Sequence, residues 1–426
     1  MRWIRPFRQI VAAAVLGAAS PLFAGVVIRP SGVPEALVAF SGERIGTASA
    51  WERTRKPELR RYFLENMYGV RPPAAEKPDV SFVSIVPDKI MLEGKALRKR
   101  IRIEYCGPYG RDAFPVTAFI PNSDRKVPVF LLICNRKPAE NLDPERKVKS
   151  EFWPVEEIVA RGYAAVAFYT CDVAAETYNP ATAHLGKVFG CYERPQDRTD
   201  KSWGTLSAWA WGASRAMDWI ETVESLDAGH VAVVGHSRGG KAALLAGVTD
   251  GRFALTCVNC SGCGGTKLAS IELPKSEFYA SFAASRVDYW FCGGFQAHFV
   301  NRDRRVAGVD ALPWHSAARQ LEVDQHELLA LIAPRLLAVA SATEDDWAGQ
   351  LGEFHASRLA SPVWKLYGLD GLVAPIDPPQ ENDRPRGGLT YQDGFISYHV
   401  RSGKHTLASY DWQRYMDFAD RHRWRK

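Results

Sequence analysis

One short run combines residue types in a spacing that can do chemistry. Val231-Ala-Val-Val-Gly235-His236-Ser237-Arg238-Gly239 sets a serine between two glycines, directly after a four-residue β-branched and alanine strand. Ala242 to Val248 then reads as a helix of small apolar residues. G-x-S-x-G is a weak pattern alone, but the strand before it and the helix after it supply the context it needs. Such a turn strains the backbone at the serine, and a larger residue at either glycine would strike the flanking strand or helix. Ser237 is therefore the candidate nucleophile.

A serine hydroxyl attacks a carbonyl only when a histidine takes its proton and a carboxylate fixes that histidine. On a strand–turn–helix scaffold of this type the chain order is serine, acid, histidine. His405 stands in the polar loop Arg401-Ser-Gly-Lys-His405-Thr-Leu, after the last strand and before the last helix, and is the expected base. His399 lies in Ile396-Ser-Tyr-His399-Val400, which alternates like a strand, and reads as structural. The acid should follow the penultimate strand, Leu336 to Ala340. Asp345 is the expected acid and Glu344 the alternative within Glu344-Asp345-Asp346-Trp347. The backbone N–H of Arg238 and its guanidinium are candidate oxyanion donors. Asp324-Gln325-His326 reads as a structural loop entering a helix.

These residues need elements to position them. Val127 to Cys134, Tyr163 to Phe168, Val231 to Val234, Phe253 to Val258, Leu336 to Ala340 and Val363 to Tyr367 are short apolar runs that predict buried strands. Arg98 to Tyr105 and Pro115 to Ile120 read as further strands. Helical spacing appears over Trp51 to Tyr68, Ser207 to Val223, Leu328 to Ile332 and Trp412 to Phe418. Strands alternating with helices predict an α/β fold of the α/β-hydrolase type, with a mostly parallel central sheet flanked by helices. Linker signals are weak, so residues 25–426 read as a single catalytic domain with elaborated loops at 135–205 and 260–325.

The first 24 residues read as an export signal: a basic start (Arg2, Arg5, Arg8), an apolar stretch and a small residue at Ala24. The expected location is secreted or periplasmic. The formal net charge of +6 falls to +3 without that segment, which excludes an electrostatic case for nucleic acid. No later apolar run reaches the roughly 18 residues of a membrane span. Among the eight cysteines, Cys257, Cys260 and Cys263 lack a second zinc knuckle, so buried thiols or one or two disulfides are expected, with no metal or cofactor. No residue pattern calls for a partner chain, and a monomer is expected.

From these motifs the sequence resembles carbohydrate esterase family 15, the glucuronoyl esterases and their bacterial relatives. The resemblance runs from about residue 50 to 420. It rests on Gly235-His-Ser-Arg-Gly-Gly-Lys-Ala-Ala243, Ser261-Gly-Cys-Gly-Gly265, Trp290-Phe-Cys292, Val323 to Arg335, Glu344-Asp-Asp-Trp347, and His405-Thr-Leu with Tyr410-Asp-Trp412. It implies hydrolysis of the ester between 4-O-methyl-glucuronic acid on glucuronoxylan and lignin alcohols. It also implies Ser237 as nucleophile, His405 as base, Arg238 at the oxyanion, Lys241 on sugar hydroxyls and Trp347 packed on the sugar. Glu277 and Arg286 fall near a substrate-binding Glu and Arg of the family. One position departs: many members carry the catalytic Glu directly before Ser-Gly-x-Gly-Gly, and here that residue is Cys260, which leaves the later site at Asp345. Two other readings remain open: an acetyl-xylan or other small-acyl esterase on the same triad, and a non-catalytic carbohydrate-binding protein on the same fold.

Overall fold

A computed structural model describes residues 33–177, 179–271, 273, 275–300, 321–381 and 384–425. The export-signal segment 1–24 lies outside the described residues, as does part of the 260–325 loop. Strands β3 (Ala96–Gly107) and β4 (Gly110–Pro121) form a long hairpin, with β1 (Asp79–Ser84) and β2 (Lys89–Met91) paired to β3. Six parallel strands follow: β5 (Val127–Cys134), β6 (Ala164–Tyr169), β7 (Leu226–His236), β8 (Leu255–Asn259), β9 (Leu336–Ala342) and β13 (Ile396–Arg401). The sheet order is β1-β3-β4-β6-β5-β7-β8-β9-β13-β12, where β12 (Thr390–Tyr391) is antiparallel to β13. A separate ribbon pairs β10 (Gln380–Glu381) with β11 (Arg384–Pro385).

The parallel strands are apolar throughout because both of their faces are covered: all eight residues of β5 and all seven of β9 are buried. Side chains alternate across a strand. Phe130, Leu132, Ala232, Val234, Leu255, Cys257, Ala338 and Ala340 therefore point to one face, where they pack with Trp153, Ile158, Trp412, Met416 and Phe418. The intervening residues face helices Thr205–Thr222 and Arg238–Thr249. On that side Gly247 allows close approach, since a Cβ there would sit 2.2 Å from the Thr256 hydroxyl. Trp209 and Trp211 are core residues whose indole N–H groups cap the carbonyls of Ala174 and Ala75.

Val363 to Tyr367 is not a strand. Residues Pro362–Lys365 form a helical turn. Proline at the first helical position suits its fixed φ and missing N–H, and one turn suffices to bury Val363 and Trp364. The last parallel strand is β13 instead, with His399 inside it. Cys106, Cys134, Cys171, Cys191, Cys257, Cys260 and Cys292 are thiols rather than disulfides.

Candidate active site

The C-terminal ends of β7, β8, β9 and β13 meet at one edge of the sheet. Ser237 follows β7 with φ 57° and ψ −125°, a region that side-chain-bearing residues seldom enter. Its N–H is held by the Asn259 carbonyl at 2.8 Å, and its own carbonyl accepts the Lys241 N–H at 3.1 Å. Gly235 cannot be larger, because a Cβ there would sit 2.0 Å from the Gly239 oxygen. Helix Arg238–Thr249 starts at the next residue, so the serine sits where unpaired N–H groups and the positive end of the helix dipole converge.

The loops after β9 and β13 are zipped together. Thr343 N–H donates to the Arg401 carbonyl (2.9 Å), Glu344 N–H to the Gly403 carbonyl (2.9 Å), and Gly403 N–H to the Thr343 hydroxyl (3.0 Å). This pairing carries Asp345 to His405: Asp345 Oδ2 lies 2.6 Å from His405 Nδ1. Asp345 is buried, while Glu344 is exposed and makes its loop contact only through the backbone. Of the two carboxylates weighed from the sequence, Asp345 is the one that meets the histidine. The His405 ring centroid lies 4.3 Å from that of His236, the neighbour of Ser237.

Several residues that the sequence reading passed over hold this arrangement. The Arg401 guanidinium donates to the carbonyls of Ser402 (2.9 Å), Lys404 (2.6 Å) and Thr406 (3.0 Å), clamping the loop around His405. Buried Asp411 anchors Arg401 at 3.1 Å and also bonds His399 Nε2 at 2.9 Å, so His399 is structural as expected. His236 is fully buried between the Asn259 carboxamide oxygen at Nδ1 (2.6 Å) and Arg136 at Nε2 (3.3 Å). Burial, followed by the charge of His405, pushes the His236 pKa well down, so it stands as a neutral ring beneath His405. Glu353, also fully buried, accepts from Ser261 N–H (2.8 Å), Gly262 N–H (3.1 Å) and the Thr266 hydroxyl (2.8 Å), and from Ser341 Oγ at 2.6 Å. Burial outweighs these bonds and raises its carboxyl to about 7. The only sequence signal for these groups was a charged or polar residue ending an apolar strand, as at Arg401 and Asn259.

Cys260 follows β8 beside the same pair. Its sulfur, a carboxylate oxygen of Asp345 and a ring nitrogen of His405 all lie within 4.8 Å of one another. Burial pushes the thiol pKa well up, with the Asp345 and Glu353 charges adding to it, so Cys260 is a neutral neighbour of the acid.

A second cluster adjoins the elbow. Lys241 is buried and donates to the Ser261 carbonyl (2.5 Å) and Glu277 Oε2 (2.8 Å). The Trp347 indole N–H reaches Glu277 Oε1 at 3.2 Å, while the ring itself is 48% exposed. Lys241, Glu277 and Trp347 thus form one bonded chain. Arg286 sits exposed just beyond helix Tyr279–Ala284 with φ 57°, outside that chain. Arg238 turns its guanidinium to Glu176, with Nε 2.5 Å from Oε1 and Nη2 2.8 Å from Oε2, and Nη2 also donates to the Asn135 carbonyl at 3.2 Å.

Comparison with known proteins gives this geometry its relatives. A family model described as glucuronyl esterase of fungi matches residues 150–368. Carbohydrate esterase MZ0003, from an unknown prokaryotic organism, is 32% identical over 422 residues, covering 92% of this chain and 89% of the relative. A 4-O-methyl-glucuronoyl methylesterase of Podospora anserina is 29% identical over 217 residues, where the match spans 49% of this chain and 40% of the fungal protein. Among solved structures, a promiscuous CE15 esterase from a marine bacterial metagenome superposes with TM-score 0.74 at 30% identity, over 92% of this chain and 96% of that one. A glucuronoyl esterase from Solibacter usitatus gives TM-score 0.74 at 28% identity, over 93% and 98%. This chain belongs to carbohydrate esterase family 15, the glucuronoyl esterases, and has their α/β-hydrolase fold.

Proposed function

We propose that the protein is a serine esterase that hydrolyses esters of 4-O-methyl-glucuronic acid, with the glucuronoxylan–lignin ester as substrate. Ser237 Oγ attacks the ester carbonyl carbon while His405 takes its proton and Asp345 holds the resulting imidazolium. The oxyanion is met by the Arg238 N–H and guanidinium. Collapse expels the alcohol, which takes the proton from His405. Water, deprotonated by His405, then releases the uronic acid from Ser237. An ammonium has three donors, and two of those on Lys241 are committed to Ser261 and Glu277. The third is available for a sugar hydroxyl. The exposed face of Trp347 offers a platform to the apolar face of the ring.

The observation that carries this reading is a carboxylate-bound histidine at a serine elbow, next to the Lys241–Glu277–Trp347 chain, in a member of this family. The test compares benzyl glucuronate with 4-nitrophenyl acetate. The wild type should turn over the glucuronate ester, and Ser237→Ala should lose several orders of magnitude in kcat. Turnover of the acetate alone would leave the small-acyl esterase reading in its place, a reading favoured by the relative described as promiscuous. A fluorophosphonate probe that failed to label Ser237 would instead favour a non-catalytic binding protein.

Residues 1–24 are read as a removed export signal, and residues 25–426 as one catalytic domain acting as a secreted or periplasmic monomer. Residues 31–426 cluster as one compact unit. No helix among the described residues is long and apolar enough to cross a membrane.

A further inference from the structure

The charges at this site are paired in a way that bears on which ligands it keeps. Three cationic side chains bond within it, Arg136, Arg238 and Lys241, against three carboxylates, Glu176, Glu277 and Asp345. Lys241 lies on Glu277, and the His405 ring lies on Asp345. Arg238, which directly follows the nucleophile, is ion-paired with Glu176 through Nε and hydrogen-bonded to it through Nη2. Nη2 also donates to the Asn135 carbonyl, so two acceptors hold the guanidinium on this side. Among the described residues, no hydrogen bond engages Arg238 Nη1.

Glu176 is itself held in place by its neighbours. Two residues before it, the Ala174 carbonyl accepts the Trp209 indole N–H at 2.9 Å. One residue after it, the Thr177 N–H donates to the Tyr289 hydroxyl at 3.0 Å. The Glu176 carboxylate remains about a quarter exposed, as does the Arg238 side chain. No step of the ester hydrolysis requires a carboxylate at this position. An unpaired guanidinium would stabilise an oxyanion at least as strongly, so Glu176 weakens Arg238 as a pure anion trap.

We propose that Glu176 is a specificity-determining residue that makes the site favour the ester and its transition state over the free uronic acid. This rests on the reading of the protein as a glucuronate esterase. The substrate ester is neutral at its carbonyl. In the transition state a negative oxyanion and a positive His405 form together, so no net charge is added. The product alone brings a net negative charge, a carboxylate beside Asp345 with His405 neutral again. A site of balanced charge accommodates the first two and rejects the third. With Glu176 present, Arg238 offers a positioned hydrogen bond without a surplus positive charge, and the acid product leaves. A free guanidinium would hold that carboxylate bidentately and leave the enzyme product-bound.

The test uses the full chain and two readouts. Glucuronate binding is measured by titration calorimetry on Ser237→Ala and on Ser237→Ala/Glu176→Gln. Inhibition of ester turnover by added glucuronate is measured on wild type, Glu176→Gln and Glu176→Asp. Removing one charge within a few Å of the ligand should tighten glucuronate binding about tenfold. The gain should fade with added salt. The KM for methyl glucuronate should move less than about threefold, because the ester carries no charge for the change to act on. Glu176→Asp, which restores the charge, should return acid affinity toward wild type. A misplaced loop would shift ester and acid together and would be insensitive to salt. Equal shifts for ester and acid, or unchanged acid affinity in Glu176→Gln, overturn the inference while leaving the esterase reading intact. A wild type that hydrolyses no glucuronate ester overturns both.

Discussion

At the scale of single residues, two adjacent carboxylates have different surroundings. Asp345 is buried with Oδ2 on His405 Nδ1 and Oδ1 on the Ala348 N–H at 3.2 Å, whereas the Glu344 side chain faces solvent. Asp345→Asn should lower kcat about 10³–10⁴-fold by presenting a donor where the histidine N–H needs an acceptor. Glu344→Gln should stay within about twofold, as exposed polar substitutions generally do. Steady-state kinetics of the two variants on one ester check both statements, and equal losses would reverse the assignment. The sequence placed the acid within a run of three because strand order dictates which loop carries it. It ranked Asp345 ahead of Glu344, but not for the reason the structure gives, which is how the loop turns after Thr343 and bonds its backbone to Gly403. Glu176 left no trace in the sequence: nothing in a loop 62 residues upstream marks its contact with Arg238.

At the scale of elements, the turn after β8 depends on Glu353 of helix Gln350–Ala360. Its carboxyl is raised from the ordinary 4.5 to about 7, chiefly by burial. The folded state therefore binds a proton more tightly than the unfolded chain between those values. The sign follows: this contribution to stability is full below about 4.5 and is lost as pH rises to about 7. The loss is on the order of 3 kcal/mol, each pK unit being worth about 1.4. Glu353→Gln should flatten the dependence of unfolding free energy on pH across that window, as read by urea denaturation from pH 5 to 8. An unchanged slope would mean that the carboxylate is not the titrating group. Elements with a clear apolar period were legible in the sequence, including β5, β7, β9 and the two helices flanking Ser237. The segment Val363 to Tyr367 was misread because a mostly apolar run of five residues fits a buried strand and a single helical turn equally. Pro362, at the first helical position, was the signal that separates them.

At the scale of the whole molecule, six parallel strands carry their functional residues at one edge, and most of the sheet only supports that edge. The fold class was legible because strands buried on both faces must be apolar from end to end. The charge balance of the site was not, because its pairs join residues far apart in the chain, such as Arg238 with Glu176 and Lys241 with Glu277. The strained serine has a molecule-wide effect on stability. Ser237 sits at φ 57° with a side chain, a conformation costing about 1–3 kcal/mol that glycine adopts freely. Glycine loses about 0.5–1 kcal/mol through its looser unfolded chain. Ser237→Gly should therefore be net stabilising by about 1 kcal/mol, a Tm rise of about 1–2 °C in a chain of this size. Ser237→Ala keeps the Cβ and should gain no such relief, so calorimetry of the two side by side isolates the strain. For the lineage, losing catalysis here is a downhill step in folding. A copy released from selection on turnover has a thermodynamic reason to drift toward glycine at this turn, and only continued use as an enzyme keeps the serine there.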